Sequence, residues 1–247
     1  MEKNQKSSII EVKDGIINEE EFKNTPIKIL WVLKEPYAKE GEVEYLYGEG
    51  YLNFFREYVK HPTLVRQTVH KIIYTSYAIL NNKKWKDIPR IKKNNNEEDN
   101  AKVIDILNKI AIINIKKVPK IISETSNKTS RKEEIMDHFI KNLEYIKKQI
   151  TDINPNVVIW AFWSLLGSKE LGKLIFDEDV IPKDCFQRFH VYDYYYYFDE
   201  SVKDVLHIIV DHPACPNKRT NDGEVINEKK YVNEIKNIYC EVFKCKK

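Results

Sequence analysis

The chain has 247 residues, 42% of them hydrophobic and 32% charged, enough apolar material for one sizeable core rather than several. With 41 Lys and Arg against 38 Asp and Glu, the formal charge of +3 neither demands nor excludes a polyanionic partner. A mean hydropathy of −0.55, the lack of a long apolar run and the polar start Met1-Glu2-Lys3-Asn4 argue against a membrane span or a secretory signal, so a cytoplasmic protein with no membrane partner is expected. Only 7 Gly are present, and neither GxGxxG nor GxxxxGK[ST] occurs, which counts against a nucleotide-cofactor enzyme. The four cysteines, Cys185, Cys215, Cys240 and Cys245, form no CxxC pair; neither a metal nor a cofactor is expected.

In chain order, residues 1–24 are polar and are expected to decorate the core from outside. Ile27 to Leu33 (IKILWVL) reads as a buried strand, Tyr51 to Val59 and Pro62 to Leu80 as helices, and 81–100, rich in Asn and mixed charge, as a loop. A second strand follows at Ile110 to Ile115 (IAIINI), then a basic, Ser/Thr-rich loop over 116–132. Glu133 to Ile153 spaces Ile135, Phe139, Leu143, Ile146 and Ile150 by three and four residues, which predicts one helix ended by Asn154-Pro155. Asn156 to Phe162 and Val205 to Val210 are further strands, with a weaker one near Phe189 to Tyr192. A short helix is expected over Ser164 to Ile175 and a last one over Glu228 to Phe243. The run Tyr194 to Tyr197 reads as an amphipathic wall or strand edge. Continuously apolar strands alternating with amphipathic helices imply a single α/β domain over 1–247, a three-layer αβα sandwich around a mainly parallel four- or five-stranded sheet.

Open parallel sheets bind ligands at the carboxyl ends of their strands. Three such ends carry conspicuous polar groups: Lys34-Glu35-Pro36-Tyr37 after the first strand, Asn114 within the end of the second, and Asp211-His212-Pro213 after the last. Each alone has an ordinary explanation as a loop carboxylate, a strand-end amide or a turn histidine. Their placement on one sheet edge makes them candidates together.

The ordered set Leu33-Lys34-Glu35-Pro36-Tyr37, Ile112-Ile113-Asn114-Ile115 and Asp211-His212-Pro213-Ala214 resembles the uracil-DNA glycosylase superfamily over roughly residues 27–220. That resemblance implies a catalytic Glu35 positioning water, with Pro36 and Tyr37 continuing its loop. It further implies Asn114 facing the edge of a flipped base and a catalytic His212 at a carbonyl of the leaving base. Tyr51-Leu52-Asn53-Phe54-Phe55 is similar to a helix-opening stretch of the mismatch-specific branch, and Tyr47, among Tyr45, Tyr47 and Tyr51, is the aromatic taken to stack on the base. The sequence also departs from the family. Lys34 stands where Gln is familiar, Glu35 is one methylene longer than Asp, and Ala214-Cys215-Pro216 lacks the usual Ser.

The chemistry suits these types independently. Breaking an N-glycosidic bond builds positive charge on the sugar and negative charge on the base, which a carboxylate and an imidazole donor respectively stabilise. Asn114 offers a donor and an acceptor with which to read a pyrimidine. Lys116, Lys117, Lys218 and Arg219 follow two of the strand ends and are expected to contact DNA. The expectation is a monomeric, cofactor-free DNA glycosylase that removes uracil or a modified pyrimidine and leaves an abasic site. The alternatives are a defence enzyme excising bulky hypermodified cytosine, such as glucosylated cytosine, from phage DNA, and a non-catalytic DNA-binding protein of the same fold.

Overall fold

The computed structural model describes residues 12–39, 49–62, 65–92, 97–122, 130–162, 174, 186–189, 192–199, 202–214, 218–219 and 225–243. Four parallel strands form the centre: β2 (Ile29–Leu33), β4 (Ile110–Asn114), β6 (Val157–Ala161) and β9 (Val202–Val210). They lie in the order β4-β2-β6-β9, with Leu33 beside Asn114, Ile29 beside Val157 and Ala161 beside Val210. Antiparallel strands extend both edges, giving seven strands in all rather than the four or five expected. β1 (Gly15–Ile16) pairs with β4, and β8 (Tyr192–Asp199) pairs with β9 and with β7 (Phe186–Phe189). Tyr194 and Tyr195 thus lie between β9 and β7, whereas Tyr196 and Tyr197 pair with β9 and, among the described residues, with no strand on the other side.

Side chains alternate across the sheet with period two, and each face has its own core. Ile29, Trp31, Ile110, Ile112, Val157, Ile159, Leu206 and Ile208 pack on one face against α2 (Gly50–Lys60), α3 (Gln67–Leu80), α4 (Glu97–Ile104) and α7 (Glu228–Val242). Leu30, Val32, Ala111, Ile113, Val158 and Trp160 pack on the other against α1 (Glu19–Asn24), α5 (Lys132–Lys141) and α6 (Leu143–Ile153). The result is an α/β arrangement compatible with a three-layer sandwich. No helix of the described residues is long and apolar enough to cross a membrane.

Three local expectations change. The stretch 133–153 is two helices, because Asn142 leaves helical geometry (φ −105°, ψ 11°) and its side-chain amide donates to the His138 carbonyl at 2.8 Å. The second helix ends as expected, with Asn154 in the left-handed region before Pro155. The helix expected from Pro62 begins at Gln67, after an extended Arg66. Residues 12–24 are not decoration: Ile17 and Phe22 are buried in the two cores, and β1 completes the β4 edge. The helix expected over Ser164 to Ile175 lies outside the described residues apart from Leu174.

Beyond β2 and β4 the two chains stay side by side. Ile115 N–H donates to the Leu33 carbonyl and Lys116 N–H to the Lys34 carbonyl, both at 2.9 Å, and Lys120 N–H reaches the Pro36 carbonyl at 2.8 Å. The pairing ends in a small parallel ribbon of β3 (Tyr37–Lys39) and β5 (Lys120–Ile122). The loops that follow the first and second parallel strands are therefore an extension of the sheet.

Candidate functional site

The chain runs from β2 outward to β4, then back across β2 to β6 and on toward β9. The connections reverse their sense between β2 and β6, and in open α/β sheets ligands bind at the carboxyl ends of the strands beside such a reversal. Glu35 follows β2, Asn114 closes β4 on one flank, and Asp211-His212 follow β9 on the other. The structure thus places the three expected groups at one edge of the sheet.

Glu35 is buried, and both its oxygens are engaged. Oε1 accepts the Ser130 backbone N–H at 2.9 Å and Oε2 accepts Lys116 Nζ at 3.0 Å. Tyr37 hydrogen-bonds the same carboxylate; burial first, then the Glu35 charge and that hydrogen bond, raise the Tyr37 phenol well above its usual value. Lys116 Nζ also reaches Ser130 Oγ at 2.7 Å and Glu134 Oε1 at 2.8 Å. The hydrogen bond from Lys116 is the main cause holding the Glu134 carboxyl below its ordinary range. Chemically this is a carboxylate immobilised on three donors, with an acceptor site remaining for a water or an adjacent cation.

Asn114 is fully buried beside a second ion pair. Its backbone N–H donates to Asp14 Oδ2 at 2.6 Å and its Nδ2 lies 3.3 Å from the same oxygen. Lys117 Nζ sits 2.7 Å from Asp14 Oδ1, with the Lys117 and Asp14 side chains 1% and 0% exposed. Tyr51, at the start of α2, hydrogen-bonds the Asn114 side chain; its phenol is raised by burial, against the pull of that hydrogen bond. Of Tyr45, Tyr47 and Tyr51, Tyr51 is the one among the described residues, and it joins Tyr37 as an aromatic at the site. Tyr47, expected to stack on the base, lies outside the described residues.

The expected DNA contacts divide. Lys116 and Lys117 do not face outward. The continued pairing beyond β4 draws the two lysines inward, where successive side chains point opposite ways, one to Glu35 and the other to Asp14. That corrects their assignment as phosphate contacts. Lys218 and Arg219 form β10 (Lys218–Arg219), paired with β11 (Val225–Ile226); their side chains are outside what is described.

His212 is half-buried, and its Nδ1 accepts the Ala214 backbone N–H at 3.1 Å. An imidazole accepting at Nδ1 carries its proton on Nε2 when neutral. Burial, with the charges of Lys34 and Lys71 adding to it, pushes His212 down to about 3. Near neutral pH the ring is thus an uncharged Nε2–H donor. Lys71 lies 5.1 Å over the Tyr231 ring, whose hydroxyl donates to the Asp211 carbonyl at 3.0 Å, tying α3 and α7 to the end of β9. Pro36 is buried between Glu35 and Tyr37.

The residues that sequence reading missed are Asp14, Ser130, Glu134 and Gln149, whose Nε2 donates to Asp14 Oδ1 at 3.1 Å. All are polar groups in segments read as peripheral, as loop or as exposed helix face. The short apolar Gly15-Ile16-Ile17 after Asp14 was the available hint of a strand. Among the described residues no three His, Cys, Asp or Glu side chains group as a metal site. No family model, curated protein or solved structure matches the chain.

Proposed function

We propose that this chain is a monofunctional DNA glycosylase with a uracil-DNA-glycosylase-like sandwich, hydrolysing the N-glycosidic bond of a flipped uracil or modified pyrimidine. The observation that carries the reading is the placement of Glu35, Asn114 and His212 at the carboxyl ends of β2, β4 and β9, with His212 held as a neutral Nε2–H donor. In this reading water attacks the anomeric carbon on the face held by Glu35, whose carboxylate stabilises the sugar cation as the C–N bond breaks; the base leaves as an anion with the bonding pair, and the proton released by the water passes to it or to solvent. His212 Nε2–H donates to the carbonyl oxygen on which the base's negative charge collects. A neutral donor can perform that task, because its Nε2–H stabilises the developing negative charge by a hydrogen bond in which the ring keeps its proton. Flipping the base from a duplex costs on the order of a few kcal/mol.

A second reading follows from the engagement of Glu35 by Ser130, Lys116 and Tyr37, which compete with a catalytic water for the carboxylate: the edge holds DNA or a base without cleaving it. Oligonucleotides carrying uracil, and phage DNA with plain or hypermodified cytosine, separate the two after incubation and alkali. Strand breaks that disappear in Glu35→Ala and His212→Ala, with the freed base identified by mass spectrometry, are the expected result. Binding without alkali-labile product on every substrate would favour the non-catalytic reading.

A further inference from the structure

The two ends of the Asn114 amide are in different chemical situations. Nδ2 faces Asp14 Oδ2, which also takes the Asn114 backbone N–H. Asp14 Oδ1 accepts from Lys117 Nζ and Gln149 Nε2, and Lys117 Nζ donates to Gln149 Oε1 at 2.7 Å. A carboxylate ringed by donors has only acceptor sites to offer, so nitrogen must be the amide atom that faces it. The Gln149 amide is set by the same logic, its oxygen toward the ammonium and its nitrogen toward the carboxylate. Asn114 Oδ1, by contrast, is buried and has no hydrogen-bond partner among the described residues. Since Oδ1 is unpartnered, the hydrogen bond to the Tyr51 hydroxyl also comes from Nδ2. Both amide protons are then committed, and the acceptor alone is left for a ligand.

We infer that Asp14 is a positioning residue which locks the Asn114 amide so that a bare carbonyl oxygen meets the ligand, and the site selects a nucleobase edge presenting an N–H at that point. The inference rests on the reading of this edge as a base site. It narrows the role of Asn114, which cannot supply donor and acceptor together as its residue type alone suggests. A base offering only acceptors or a methyl group there meets an unpaired carbonyl and is rejected, since a buried polar group left without its partner weakens binding.

The test uses the full chain and the paired variant Asp14→Asn with Lys117→Met, which removes both charges so that neither is left alone in the interior. In the wild type the Asn114 side-chain NH2 signals should exchange slowly with deuterium in nitrogen-15 NMR, and in the variant at least about tenfold faster. Oligonucleotides containing uracil should bind the wild type about tenfold more tightly than the same strands containing 3-methyluracil, with the gap largely lost in the variant. If the variant does not fold, Gln149→Leu replaces it and should reduce the gap by a smaller factor. An unchanged gap in a folded variant, or fast exchange of the wild-type NH2, overturns the inference even if the wild type excises bases. If neither oligonucleotide binds the wild type, the base-site reading fails and the exchange rates alone decide whether Asp14 holds the amide.

Discussion

Around the ends of β2 and β4 the carboxylates of Asp14, Glu35 and Glu134 are knitted to the ammonium groups of Lys116 and Lys117, whereas at the end of β9 a single imidazole is kept uncharged. Both ends take a polar group out of water, and they meet the cost differently. The first pairs each charge with an opposite one and with backbone donors. The second removes the charge and satisfies Nδ1 with a backbone N–H. The difference teaches where each end is vulnerable: the charged end to loss of a partner, the neutral end to acid.

The largest effect should come from stranding a charge. Asp14→Ala leaves Lys117 buried without its carboxylate and should lower stability by about 3–5 kcal/mol, read as a drop in the urea midpoint at unchanged slope. Replacing both members by apolar residues should cost far less; equal losses for the single and paired variants would contradict the description of this end. Next is the backbone that aims Asp14. Gly15 has φ of 145°, with nothing within 4 Å of where a Cβ would sit, so Gly15→Ala should cost about 1–3 kcal/mol through backbone strain alone.

The neutral end is probed by pH. His212, and His207 on β9, are both held at about 3 by burial, against an ordinary value near 6.5. Between those values the unfolded chain binds protons that the folded chain refuses, so this contribution is complete above about pH 6.5 and is lost as pH falls toward 3. Each ring should add up to about 1.4 kcal/mol per pH unit to the slope in that window. His212→Gln should remove one ring's share, measurable in denaturation curves taken from pH 6 to pH 4. The smallest effect is expected for Tyr231→Phe. It removes the hydroxyl that donates to the Asp211 carbonyl and should cost about 0.5–1.5 kcal/mol, with no change in the pH slope.

The parallel strands were legible because residues buried on both faces read as unbroken apolar runs, and the candidate groups because they follow those runs directly. Lys116 and Lys117 were misread for the same reason. A basic pair after a strand looks like a solvated loop, and nothing local reveals that the Leu33 and Lys34 carbonyls carry the pairing two residues further. Asp14 lies 100 residues from Asn114 in sequence, a partnership that periodicity cannot express. The break at Asn142 was hidden because the apolar spacing continues through it, and only the amide's bond to His138 marks where one helix stops.

β1 is two residues long, yet it lies along the outer side of β4, whose Ile110, Ala111, Ile112 and Ile113 would otherwise present an apolar sheet edge. Such an edge is a template for strand addition by another chain. The segment that delivers Asp14 to Asn114 is thus also a guard against self-association, and damage to it would be felt as aggregation as well as in the site.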